Sequence, residues 1–168
     1  MTHHFGGTLV GEALAGVGPE VAHIDLVIGA RGGAVEQAFV NALASPAQGH
    51  TPLLAVLEPN LPAKPSTLMV NKVTIKGARQ AALMYGPAQA AVAKAVMDCV
   101  SEGTLPEENA EEIMIIVSVF IEWDASDKKK VYDNNYLATK LAIERAVAGK
   151  PSTKEILARK DSAKHPFA

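Results

Sequence analysis

The chain is poor in the features that announce many common functions. Among its 168 residues there is one cysteine, Cys99, so no internal disulfide can form and a sulfur-stapled framework is excluded. Aromatic residues make up only 5%. Sixteen Lys and Arg stand against eighteen Asp and Glu, for a formal charge of -2, which leaves no basic field to hold a nucleic acid. No charged start followed by a long apolar run marks a signal peptide or a membrane span, so the expectation is a cytoplasmic protein without a membrane partner. No interior grouping of His, Cys, Asp and Glu has zinc spacing, and no metal is expected. Gly29, Gly32 and Gly33 surround Arg31, but the spacing is not GxGxxG and the Lys of a Walker loop is missing. Those glycines read as a turn, with Arg31 free to meet an anionic ligand tail. His3 beside the amino terminus has copper-binding spacing, although a disordered end is the simpler reading.

Hydrophobic residues make up 48% of the chain, enough for a core within one domain spanning residues 1–168, with residues 1–7 as a flexible tail. Thr8 to Ala15 and Val21 to Ile28 read as strands joined by a Gly16–Pro19 turn, hence a hairpin. Val35, Phe39 and Leu43 recur at helical spacing within Ala34 to Leu43. Pro52 to Leu57 is expected as a short strand, and the three prolines between Glu58 and Pro65 as a stiff exposed loop without pairing. Thr67 to Ile75 is expected as a strand with a bulge near Asn71, where the alternation changes phase.

Gly77 to Met84 and Ala88 to Val100 are helical in composition, with a break expected at Gly86-Pro87. In the second segment Ala88, Ala91, Val92, Ala95, Val96 and Cys99 form a stripe of small residues suited to close packing. The continuous apolar run Ile113 to Trp123 suits a central strand. Lys128 to Ala148 is expected as a helix burying Leu137, Leu141 and Val147. Ser152 with Glu155 makes a capping box opening a last helix to about Asp161. The expected fold is an α/β (α+β) two-layer sandwich: a mixed, mainly antiparallel sheet covered by helices, with adjacent strands antiparallel.

Titratable residues fall at suggestive positions. His23 and Asp25 alternate with Ile24 and Leu26, which puts imidazole and carboxylate on one strand face. Histidine can exchange a proton at neutral pH, and a carboxylate can orient it or hold a cation. Lys72 and Thr74 repeat the pattern, while Val73 and Ile75 point the other way. If both strands share a sheet, an acid, a carboxylate, an ammonium and a hydroxyl can line one cleft. The plain alternative is a solvated strand face with an ordinary surface lysine. Gln89, just after Gly86-Pro87, is expected in a helix's first turn, where unpaired N–H groups attract polar ligand atoms.

The motifs Gly11-Glu-Ala-Leu, Glu20-Val-Ala-His-Ile-Asp-Leu, Leu53-Leu-Ala-Val, Pro59-Asn-Leu-Pro, Thr67-Leu-Met-Val-Asn-Lys-Val-Thr-Ile, Gly86-Pro-Ala-Gln and His165-Pro-Phe-Ala occur in that order. From about Gly11 onward the chain closely resembles the formaldehyde-activating enzyme family. The resemblance implies a fold like the second domain of a small-subunit ribosomal protein. It also implies condensation of formaldehyde with tetrahydromethanopterin, a reduced pterin that serves as C1-carrier co-substrate, to 5,10-methylenetetrahydromethanopterin and water. That chemistry belongs to one-carbon metabolism and formaldehyde detoxification and calls for no metal, nicotinamide or flavin. A cytoplasmic homopentamer with sites between subunits is implied as well. By the same resemblance His23 matches the proton donor, and Asp25, Leu54, Lys72, Thr74 and Gln89 match pterin-contacting positions. The sequence departs from familiar members at Ala90, Ala91 and Glu122, where some carry histidine. The competing readings are a formaldehyde- or pterin-binding module with little turnover and a purely structural oligomer.

Overall fold

The computed structural model describes residues 5–165, so His3 and the last three residues lie outside it. Five strands form one sheet in the order β1-β2-β7-β6-β3: β1 (Leu9–Ala15), β2 (Ala22–Ala30), β7 (Ile113–Val119), β6 (Ser66–Asn71) and β3 (Leu53–Leu54). The β1/β2 hairpin follows from its alternation and its glycine-containing turn. Its register sets Glu12 opposite Asp25 and Leu14 opposite His23. The run Ile113 to Val119 is central, as its unbroken apolar character predicts, because both faces of β7 are covered along most of its length.

Helices α3 (Gln89–Ser101) and α4 (Lys128–Ala148) cover the inner face. There Ala13, Ile24, Leu26, Ile115, Val117 and Val119 meet Val92, Val96, Ala138, Ala142 and Ile143 in one buried cluster, to which Phe5 also belongs. The small-residue stripe of α3 is buried as its spacing predicts, and burial pushes the Cys99 thiol up to about 12. Close approach goes furthest at Gly11, where an added Cβ would lie 2.1 Å from the carbonyl oxygen of Ala142. Glycine there lets β1 lie directly on α4. On the outer face α1 (Ala34–Ala44) covers one end through Val35 and Phe39, which pack on Leu68 and Met114.

Several expectations are corrected. Strands β6 and β7 are parallel, because the helical crossover between them returns the chain in the same direction. The proline-rich loop does pair: β4 (Val56–Glu58) and β5 (Leu61–Pro62) form a small hairpin turned by Asn60 at φ 73°. Proline is tolerated in this short, exposed pairing because little of it needs the missing N–H. Gly86-Pro87 does not break the helix. After α2 (Ala78–Leu83) the chain widens into a π-helical segment, Met84–Ala88, and continues into α3. The wider turn absorbs the proline without ending the run. In α4 Leu137 is exposed, and the buried face is Val131, Asn135, Ala138, Thr139, Ala142, Ile143 and Ala146. The final helix α5 (Thr153–Arg159) opens with the expected capping box, Ser152 and Glu155 bonding reciprocally, and buries none of its residues.

Candidate active site

The outer face of β2 carries His23, Asp25 and Val27. Val27 packs against the cluster under α1, whereas His23 and Asp25 lie beyond its cover. Lys72 arrives by a route that alternation does not describe. Strand β6 ends at Asn71, so Lys72 and Thr74 share no strand face and there is no bulge. The Asn71 amide turns the chain by donating to the carbonyl oxygens of Gly49, at 2.7 Å, and Val73. The Lys72 amide still donates to Val119 O at 2.8 Å, which anchors the residue beside the end of β7. From there its side chain reaches β2. Nζ lies 3.2 Å from His23 Nδ1 and forms an ion pair with Asp25 Oδ2.

Glu12, a residue that sequence reasoning did not single out, completes the cluster from β1. Its Oε1 is 2.9 Å from His23 Nε2, while Asp25 Oδ1 is 3.8 Å from the same nitrogen. Two carboxylates directly opposite on neighbouring strands repel. Cations offset that here: Lys72 meets Asp25, and Arg145 of α4 donates to the Glu12 carbonyl oxygen at 2.9 Å and lies 3.8 Å from Oε2. The sheet edge is narrow enough for Arg145 to reach around it because Gly11 lets α4 lie so close. Only the hairpin register, which sets Glu12 opposite Asp25, would have revealed this carboxylate in advance.

Beside the imidazole lies a hollow of about 480 Å³ lined by Leu14, Gly16, Val17, Gly18, Val21, His23 and Phe120. It is mostly apolar, and its size suits a small organic ligand. The hairpin turn that forms its wall is held by Asn134, whose Nδ2 donates to Glu20 O at 2.8 Å, and by Glu20, whose Oε1 accepts from the amides of Ser126 and Asp127. Those backbone donors hold the Glu20 carboxyl below the usual range. An imidazole flanked by carboxylates and an ammonium, at the mouth of an apolar hollow, can pass a proton to a bound polar atom while opposite charge stabilises a cation.

The other expected residues do not join this group within one chain. Gln89 lies inside the continuous helical run rather than in a first turn, so no unpaired helix N–H groups surround it, and its Nε2 donates to Leu54 O at 2.7 Å. Leu54 sits on β3, three strands from β2, or about 14 Å at about 4.8 Å per strand. Thr74 Oγ1 is 3.0 Å from Nε2 of His50, whose Nδ1 faces the Asn71 amide. Arg31 is engaged, donating to Glu111 O at 2.7 Å and pairing with Glu36. Of the departures, Ala91 is buried and Glu122 accepts from the Asp124 amide at 2.6 Å. Among the described residues no group of three or more His, Cys, Asp and Glu side chains has the arrangement of a metal site, and no helix is long and apolar enough to cross a membrane.

The family model described as formaldehyde-activating enzyme (Fae) matches residues 10–168. The 5,6,7,8-tetrahydromethanopterin hydro-lyase of Methanosarcina barkeri is 73% identical over 161 residues, covering 96% of this chain and 90% of the relative. The bifunctional enzyme Fae/Hps of Methanothrix thermoacetophila is 59% identical over 158 residues, and that of Archaeoglobus fulgidus 54% over 158. This chain spans 40% of the length of each of these two bifunctional proteins.

Proposed function

Because the chain belongs to the formaldehyde-activating enzyme family, we propose that it condenses formaldehyde with tetrahydromethanopterin to 5,10-methylenetetrahydromethanopterin and water, as a lyase of one-carbon metabolism and formaldehyde detoxification. The observation that carries this reading is the His23 imidazole, held between Glu12 and Lys72 at the edge of an apolar hollow. Attack of the pterin N5 on formaldehyde forms a carbinolamine, whose hydroxyl leaves poorly as hydroxide. His23 Nε2 supplies the proton that lets it leave as water, a service worth on the order of 10²- to 10⁴-fold. Asp25 stabilises the iminium cation that remains, and closure by N10 completes the product. The chain's own residues bind, orient and move the proton, so the reaction calls for no metal, nicotinamide or flavin.

Leu54, Lys72, Thr74 and Gln89 contact the pterin. Since Leu54 and Gln89 sit across the sheet from His23, one site draws them from a neighbouring subunit, which fits a homopentamer with sites between subunits; the chain works in the cytoplasm. Formaldehyde and reduced pterins combine spontaneously, so the decisive quantity is the rate above background with purified protein. A saturable excess rate is expected. Pterin binding without excess rate would make the chain a binding module, and absence of pterin binding would leave a structural oligomer. Light scattering in solution should find five chains per particle.

A further inference from the structure

We propose that Lys72 acts through His23 as the second member of a proton relay, so that the imidazole works in its neutral form. The inference rests on the reaction proposed above and adds a role for Lys72 beyond contact with the pterin. An ammonium group has donors only. With Nζ 3.2 Å from Nδ1, that nitrogen presents its lone pair, and the single ring proton resides on Nε2. Glu12 Oε1, 2.9 Å from Nε2, accepts this proton's hydrogen bond and holds the ring in the same tautomer. Asp25 Oδ2 holds the ammonium from its other side, and the Lys72 side chain is only 16% exposed, so the donor is fixed in place and largely shielded from solvent. The charged groups facing the imidazole are therefore Glu12 from β1, Asp25 from its own strand and Lys72 from the segment after β6, with Arg145 of α4 acting on Glu12.

In this arrangement His23 passes a proton without storing charge. The bound carbinolamine hydroxyl takes the place of Glu12 Oε1 at Nε2, and as its C–O bond breaks the oxygen keeps the electron pair, takes the proton from Nε2, and departs as water. Nδ1 takes a proton from Lys72 Nζ at the same time, so the ring exchanges one tautomer for the other and Lys72 becomes a neutral amine. When N10 bonds to the carbon it gives up its own proton to Nε2, and Nδ1 returns its proton to Lys72, which restores both the starting tautomer and the ammonium. Protons and electron pairs balance, and no further reactant is needed. A lone imidazolium acid would behave differently, because it loses its proton on passing the ordinary histidine range near about 6.5.

The test is the pH dependence of kcat for the wild-type protein, corrected for the spontaneous reaction, together with the ring ¹⁵N shifts of His23 and the variant Lys72→Arg. The relay predicts a kcat that does not fall between about pH 7 and pH 8, above the ordinary histidine range, where a lone imidazolium acid would already be losing activity, and ¹⁵N shifts there of a neutral ring protonated on Nε2. A guanidinium donates to Nδ1 but does not give up its proton. Lys72→Arg should therefore keep the tautomer, and at saturating tetrahydromethanopterin its kcat should fall on the order of 10²-fold whatever the change in affinity. A wild-type kcat that drops tenfold per pH unit above about 6.5, a ring protonated on Nδ1, or full turnover in Lys72→Arg would each overturn the relay and leave the reaction assignment standing. If Lys72→Arg fails to fold, the wild-type profile and the ring shifts decide. No excess rate in the wild type would overturn the reaction assignment and the relay together.

Discussion

The outer face of the sheet has two ends that share β2 and are built to opposite purposes. Under α1, Val27, Leu68 and Met114 meet Val35 and Phe39 in a sealed apolar patch. A few residues along β2, and on β1 beside it, Glu12, His23 and Asp25 stand in the open with Lys72 laid against them. On β2 the change comes between Asp25 and Val27, two positions of one face. Where the helix stops, the face stops contributing to the core, and side chains there are free to be chosen for chemistry. The charged end carries a cost, two carboxylates opposed across a strand pair, that no gain in packing offsets. Two cations, Lys72 and Arg145, offset that cost, as expected of a face organised for a ligand.

That contrast can be broken from the sealed side first. Phe39→Ala removes the largest side chain under α1 and should destabilise the fold by about 3–5 kcal/mol, measured by urea denaturation, while the folded fraction keeps its affinity for reduced pterin. Equal loss of affinity per folded molecule would show that the two ends are not separable. Gly11→Ala comes next. The new Cβ meets the Ala142 backbone, and overpacking of this kind costs about 1–3 kcal/mol. Because the α4 contact also brings Arg145 to Glu12, this variant should lose turnover as well as stability, unlike Phe39→Ala.

Asp25→Ala sharpens the comparison from the open side. It leaves Lys72 with His23 alone and should weaken both pterin binding and turnover about tenfold, about 1.4 kcal/mol, with the melting temperature little changed. The smallest effect lies far from both ends. The Ser152 hydroxyl and amide, and then Lys150, hold the Glu155 carboxyl down at about 2. A carboxyl lowered in the folded state stabilises it above the unfolded value near about 4.3 and loses that contribution as pH falls toward the folded one. Amide exchange in α5 should therefore speed up between about pH 4 and pH 2 while the sheet stays protected, and a uniform loss of protection would refute a local cap.

Much of this was legible in the sequence, and the failures have two causes. Alternation around Ile24 and Leu26 put His23 and Asp25 on one face, and the apolar run from Ile113 marked the central strand, because both signals are local. Lys72 was singled out through a strand that in fact ends at Asn71. The change of phase there was the visible trace of a side chain turning the backbone, which looks like a bulge until Gly49 is known to be the partner. Pro87 resembled a helix stop because the π-helical turn that accommodates it has no signature in composition. Glu12 and Arg145 were hidden for a different reason. Their roles depend on hairpin register and on the approach of a helix more than a hundred residues away, and neither is written in the spacing of neighbouring residues.

The most direct test of the central claim compares His23→Ala with the wild type, measuring the rate of methylenetetrahydromethanopterin formation above the spontaneous reaction at equal folded protein. The account predicts a loss of on the order of 10²-fold or more, with pterin affinity and melting temperature close to the wild-type values. An excess rate that survives the substitution would contradict it.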